Sequence, residues 1–153
     1  MIDQKAIAWF QCLHWADINF DRYICYDESP ATEIAIAFQW FASEYVVIEG
    51  WQEIDFHDAA IDELLGNNQD SIELLRRARN AVFHYQKKPF DPRLEEFARD
   101  FHKKGWLVDL HQLFLKFMLC YPESIYPYGE RREEFANSFY EIVGWKPCLL
   151  QAT

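Results

Sequence analysis

Asp70-Ser71-Ile72-Glu73-Leu74-Leu75-Arg76-Arg77-Ala78-Arg79-Asn80-Ala81-Val82-Phe83-His84-Tyr85-Gln86 carries both the fold and the chemistry of this chain. Ile72, Leu75, Ala78, Val82 and Phe83 recur at three- and four-residue spacing, which marks a helix with one buried face. Asp70 or Ser71 suits its N-cap, and the stretch predicts a helix over about 71–86. The pattern repeats upstream. Ile34, Ala37, Phe38, Phe41, Tyr45 and Ile48 define a helix that opens at Ser29-Pro30 and runs to about Gln52. Residues 3–24 carry a mixed stripe of Ile7, Phe10, Gln11, His14, Trp15 and Ile18. Residues 54–65 are a shorter helical segment closed by Gly66-Asn67-Asn68.

Downstream, two prolines force a loop across Gln86–Pro92. Asp91-Pro92 opens a helix to about Lys104 that bends at Gly105 and resumes through Trp106 to Leu119. Tyr121-Pro122 reads as its stop, Tyr126-Pro127-Tyr128-Gly129 as a turn, and about 130–143 as a last helix. No segment alternates as a strand does. Long amphipathic helices with short links predict an all-α, antiparallel up-and-down helical bundle of five to six helices. Residues 1–122 are expected to form the bundle, and 123–153 a C-terminal helical extension of the same domain.

The composition agrees. Of 153 residues, 50% are hydrophobic and 18% aromatic, enough for one well-packed core. No run reaches the ~18 apolar residues of a membrane span, and Met1-Ile2-Asp3-Gln4-Lys5 is not a basic segment leading into an apolar one, so no secretory signal is expected. Cys12, Cys25, Cys120 and Cys148 include no Cys-x-x-Cys pair. Cys12 and Cys120, among apolar neighbours, read as small core residues. A reduced, cytoplasmic protein without a membrane partner is expected, with no cofactor and no metal. His57-Asp58 with Asp62 is ordinary spacing on an acidic helix, and His102 and His111 are not spaced as a ligand pair.

A net charge of −10 opposes broad, non-specific nucleic-acid binding. Its distribution is uneven. Residues 1–75 contain only Lys5 and Arg22 as strong bases, whereas 76–104 carry Arg76, Arg77, Arg79, Lys87, Lys88, Arg93, Arg99, Lys103 and Lys104. Arg76, Lys87, Lys88 and Arg93 are the candidates to track an RNA backbone. Pairing of these bases with acids of the same chain or a partner is the competing expectation.

Within the opening stretch, Arg79, Asn80 and His84 combine three useful groups. Histidine, ordinarily near pKa 6.5, serves as base or acid. Arginine is permanently charged and its fork matches phosphate oxygens. Asparagine orients either by hydrogen bonding. On a continuous helix Asn80 and His84 share a face with Arg76, while Arg79 lies about 140° from His84. A site using both must close by side-chain reach or by a second copy of the helix across a dimer. The alternative is structural: His84 capping carbonyls and Arg79 pairing with an acid of 44–63.

The Arg79-Asn80-Ala81-Val82-Phe83-His84 segment, late in a helix of a small α-helical domain, resembles the HEPN superfamily, whose signature is Arg, a polar residue, variable residues and His. The resemblance spans about residues 1–120. It implies a metal-independent endoribonuclease acting through the RNA 2′-hydroxyl, with catalytic Arg79, Asn80 and His84 in a cleft at the two-fold axis of a homodimer. It also implies a toxin–antitoxin or defence setting. The alternative it implies is a catalytically silent module binding a partner such as an antitoxin or a nucleotidyltransferase.

Overall fold

The computed structural model describes residues 3–25, 29–87 and 91–145. Among these, seven helices and no strand are found: α1 (Gln4–Ile24), α2 (Pro30–Glu53), α3 (Ala59–Asn67), α4 (Gln69–Phe83), α5 (Pro92–Lys104), α6 (Trp106–Ile125) and α7 (Glu130–Val143). The all-α expectation holds. The count exceeds five to six because Gly105 separates α5 from α6 rather than bending one helix. Its φ of +66° is left-handed, and its N–H caps the Phe101 carbonyl at 2.8 Å.

Four of the seven starts have a local cause. The Asp3 carboxylate accepts from Lys5 N–H, Asp58 from Ala60 and Ile61, and Asp91 from Arg93. Pro30 and Pro92 occupy first positions, where a missing amide is harmless. α3 starts at Ala59, after the Asp58 cap, and not at residue 54. It runs through Gly66, so only Asn68 separates it from α4. Pro122 does not stop α6. It lies buried in the last turn, its carbonyl accepts from Tyr126 N–H at 3.0 Å, and the helix continues to Ile125. A boundary at residue 122 therefore falls inside α6.

Pairings across the helices set their directions. Trp9 donates to the Val47 carbonyl (2.9 Å) and Asn19 to Ser43 (2.7 Å), so α1 and α2 run antiparallel. Lys104 reaches Ser71 and Arg77 reaches Glu96, making α4 and α5 antiparallel. Tyr140 on the Leu119 carbonyl and Arg132 on Glu123 do the same for α6 and α7. α7 runs parallel to α1: Gln11 donates to the Ile142 carbonyl and Trp145 to Asp17.

The core is aromatic. Trp9 has Phe10, Trp51, Phe56, Phe114 and Phe117 within 6.0 Å between ring centroids. A second group joins Phe20, Tyr23, Trp40, Phe41, Phe97 and Phe101. Such pairs each add about 0.5–1.5 kcal/mol beyond area burial. The first group requires Gly50: a Cβ there would stand 2.7 Å from Trp9 Cδ1. Cys12 is half-buried, but Cys120 is exposed and is not a core residue, because its position on α6 turns outward.

Candidate functional site

α4 buries Ser71, Ile72, Leu75, Ala78 and Ala81, a stripe that packs on α2 and α5. Arg79 and Asn80 flank it and are half-buried. The Arg79 guanidinium carbon lies 5.9 Å from the Tyr45 ring of α2 and 5.9 Å from the Phe83 ring. Its Nη1 donates to Asn80 Oδ1 at 3.1 Å, and its buried Nε has no hydrogen-bond partner. This setting separates Arg79 from its neighbours. Among the described residues four arginines are half-buried. Arg77 pairs with Glu96, Arg93 with Asp91 and Arg132 with Glu123, whereas Arg79 has no carboxylate partner.

His84 does not lie on the helix. α4 ends at Phe83, and His84 takes an extended backbone (φ −116°, ψ 139°) with an exposed side chain. Gln86 supports this end: its side-chain amide donates to the Ala81 (3.2 Å) and His84 (2.6 Å) carbonyls, satisfying one of the last carbonyls of the helix and holding His84 in its turn away from it. The shared face of Asn80 and His84 expected from a helix to residue 86 is therefore absent. No hydrogen bond to the His84 ring is found among the described residues. Phe83 and Tyr85 beside it are 54% and 92% exposed.

The four bases expected to follow an RNA backbone have different positions. Arg76 is held by Glu73 through two bonds of 2.8 and 2.6 Å. Arg93 makes three bonds to Asp91 and one to Gln86 Oε1. The side-chain bond from Arg93, then its backbone N–H, hold the Asp91 carboxyl down to about 2. Lys87 is exposed, and Lys88 lies outside the described residues. With Arg99–Glu95 and Lys104–Asp100 also paired, much of the basic stretch is neutralised within the chain.

A second polar cluster escaped the sequence reading. His111, fully buried, places Nδ1 2.9 Å from Glu44 Oε2 and Nε2 3.2 Å from Asp17 Oδ1. The available signal was one acid and one histidine at buried positions of two apolar helices, which must find each other. His57 lies 3.1 Å from Asp55 and 3.5 Å from Asp62, and Trp51 also donates to Asp62.

Grooves of about 330 Å³ between α1 and α2 and about 300 Å³ beside Tyr23, Phe38 and Phe101 are lined by other residues than Arg79, Asn80 and His84. No helix among the described residues is long and apolar enough to cross a membrane. No protein-family model matches the chain, and neither a curated protein nor a solved structure is significantly similar to it.

Proposed function

We propose that this chain is a metal-independent endoribonuclease of HEPN type, with Arg79, Asn80 and His84 contributing half of a site that a second copy completes. The observation that carries this reading is Arg79. It is a half-buried cation held against two rings, with an unsatisfied Nε and, among the described residues, no carboxylate to neutralise it. A guanidinium so placed is preorganised for an anion, and phosphate oxygens match its fork. Asn80 orients it. His84, exposed and without a bonded partner for its ring among the described residues, is free to meet substrate.

The chemistry follows from these groups. One His84 takes the proton of a ribose 2′-hydroxyl as its oxygen attacks the adjacent phosphorus. Arg79 stabilises the charge on the phosphorane. The bond to the 5′-oxygen breaks, and the partner copy's histidine protonates the leaving group. The products are a 2′,3′-cyclic phosphate and a 5′-hydroxyl. A role as toxin or defence protein follows from the family analogy alone.

The test is incubation of the purified protein with RNA in excess chelator. Cleavage is expected, and His84→Ala should lower it by about 100- to 10,000-fold, the usual share of a proton-transfer group. A folded protein that cleaves none of a broad set of RNAs contradicts the proposal. The second reading is a silent module binding a basic partner protein. It is favoured by the internal pairing of Arg76, Arg77, Arg93, Arg99 and Lys104, and by residues 23–75, which carry no lysine or arginine.

A further inference from the structure

His111 sits where a neutral ring does not fit. Both of its nitrogens face carboxylate oxygens, Nδ1 toward Glu44 and Nε2 toward Asp17. Ionised carboxylates only accept hydrogen bonds, so each nitrogen must carry a hydrogen, and that species is the imidazolium. Glu44 also accepts from Trp40 Nε1 at 3.3 Å, while its Oε1 is buried without a partner. The other oxygen of Asp17 accepts from Trp145 Nε1 at 3.1 Å, immediately after α7 and its Gly144 cap. One proton thus connects α1, α2, α6 and the end of α7.

We propose that this triad is a proton-operated latch: the His111 imidazolium clamps α1, α2 and α6 and, through Asp17, seats Trp145, and loss of its proton frees Asp17 and unseats Trp145.

The energetics favour that sequence of events. Burial opposes the charge on His111, but the facing Glu44 and Asp17 outweigh it and raise the ring to about 9. From α1 the charged group facing the ring is Asp17, and from α2 it is Glu44. On those helices the rings of Phe20 and Trp40 also stand against it. α3 meets α6 along Asp109, Gln112 and Lys116, and α7 meets it at Leu119 and Glu123, away from the ring. When the proton passes from Nε2 to solvent, two carboxylates are left facing an uncharged ring. Glu44 is fully buried and cannot turn away. The Asp17 side chain is 16% exposed and can. Its departure removes the acceptor of the Trp145 indole.

The experiment follows the His111 ring and the Trp145 indole N–H by NMR in the intact protein, from about pH 6 to about pH 10. The Trp145→Phe variant assigns the indole signal. The expected result is one shared midpoint near 9 for both resonances. In Asp17→Asn the His111 midpoint should fall by about one pH unit or more, and the indole should no longer move with it. A His111 midpoint near the ordinary value of about 6.5 overturns the proposal. So does an indole signal that stays still while His111 titrates, or an Asp17→Asn midpoint equal to that of the natural protein.

Discussion

Arg76 and Arg79 stand three residues apart on one helix, yet their surroundings differ. Arg76 is exposed and bound twice by Glu73, so it offers little to a ligand. Arg79 is drawn against Tyr45 and Phe83 and, among the described residues, has no acid beside it. Replacing it by lysine keeps the charge but removes the flat fork that stacks and binds two oxygens at once. Arg79→Lys is therefore expected to lower RNA cleavage at least about tenfold, while His84→Ala, at an exposed position, should move stability by no more than about 0.5 kcal/mol. Cleavage assays and urea melts of the two variants check this. The chain itself shows that Arg79, Asn80 and His84 are neighbours. It does not show that Arg79 is desolvated, because Tyr45 comes from another helix, nor that His84 leaves the helix, a turn the Gln86 side chain supports. Gly50 makes a similar point. Near the end of α2 it looks like a tolerated residue, but Trp9 occupies the space its Cβ would need. Gly50→Ala should destabilise by about 1–3 kcal/mol through overpacking, measurable by urea denaturation.

At the scale of elements, punctuation residues were good guides where their effect is local. Ser29-Pro30 and Asp91-Pro92 start helices as their chemistry requires, and Asp58 anchors α3 by accepting two amides. Asp58→Ala should cost about 1 kcal/mol, seen as a lower thermal midpoint. Gly105→Ala should cost about 1–2 kcal/mol, because the left-handed turn between α5 and α6 is strained for any residue with a Cβ. Pro122 misled because its effect depends on tertiary packing. A proline in the last turn loses one amide, and burial of its ring offsets that loss. The Gly66-Asn67-Asn68 run closes α3 as its chemistry suggests, with Asn68 as the single cap residue between α3 and α4. The core triad was illegible for a different reason. Asp17, Glu44 and His111 are far apart in sequence, and nothing local marks them as partners.

Across the whole molecule, these charges predict how stability responds to pH. The folded pKa of His111 is raised to about 9, above its unfolded value near 6.5. Its contribution is fully present below about 6.5, declines as pH rises, and is gone above 9, in total about 3 kcal/mol. Asp91 acts in the opposite sense. Its folded pKa is depressed to about 2, so its contribution is present at neutral pH and lost as acid takes the chain down through about 2. Unfolding midpoints in urea across pH should therefore fall on both sides, with the alkaline fall abolished in His111→Gln. The same global view bears on function. Helices packed on an aromatic core leave Phe83, His84 and Tyr85 exposed at the surface, which is where the proposed second copy would have to meet Arg79 and His84. The most direct measurement is the end-group chemistry of RNA treated with the natural protein and with His84→Ala, in excess chelator. The account predicts 2′,3′-cyclic phosphate and 5′-hydroxyl ends that disappear in the variant. Ends of 3′-hydroxyl and 5′-phosphate, or equal yields from both proteins, would contradict it.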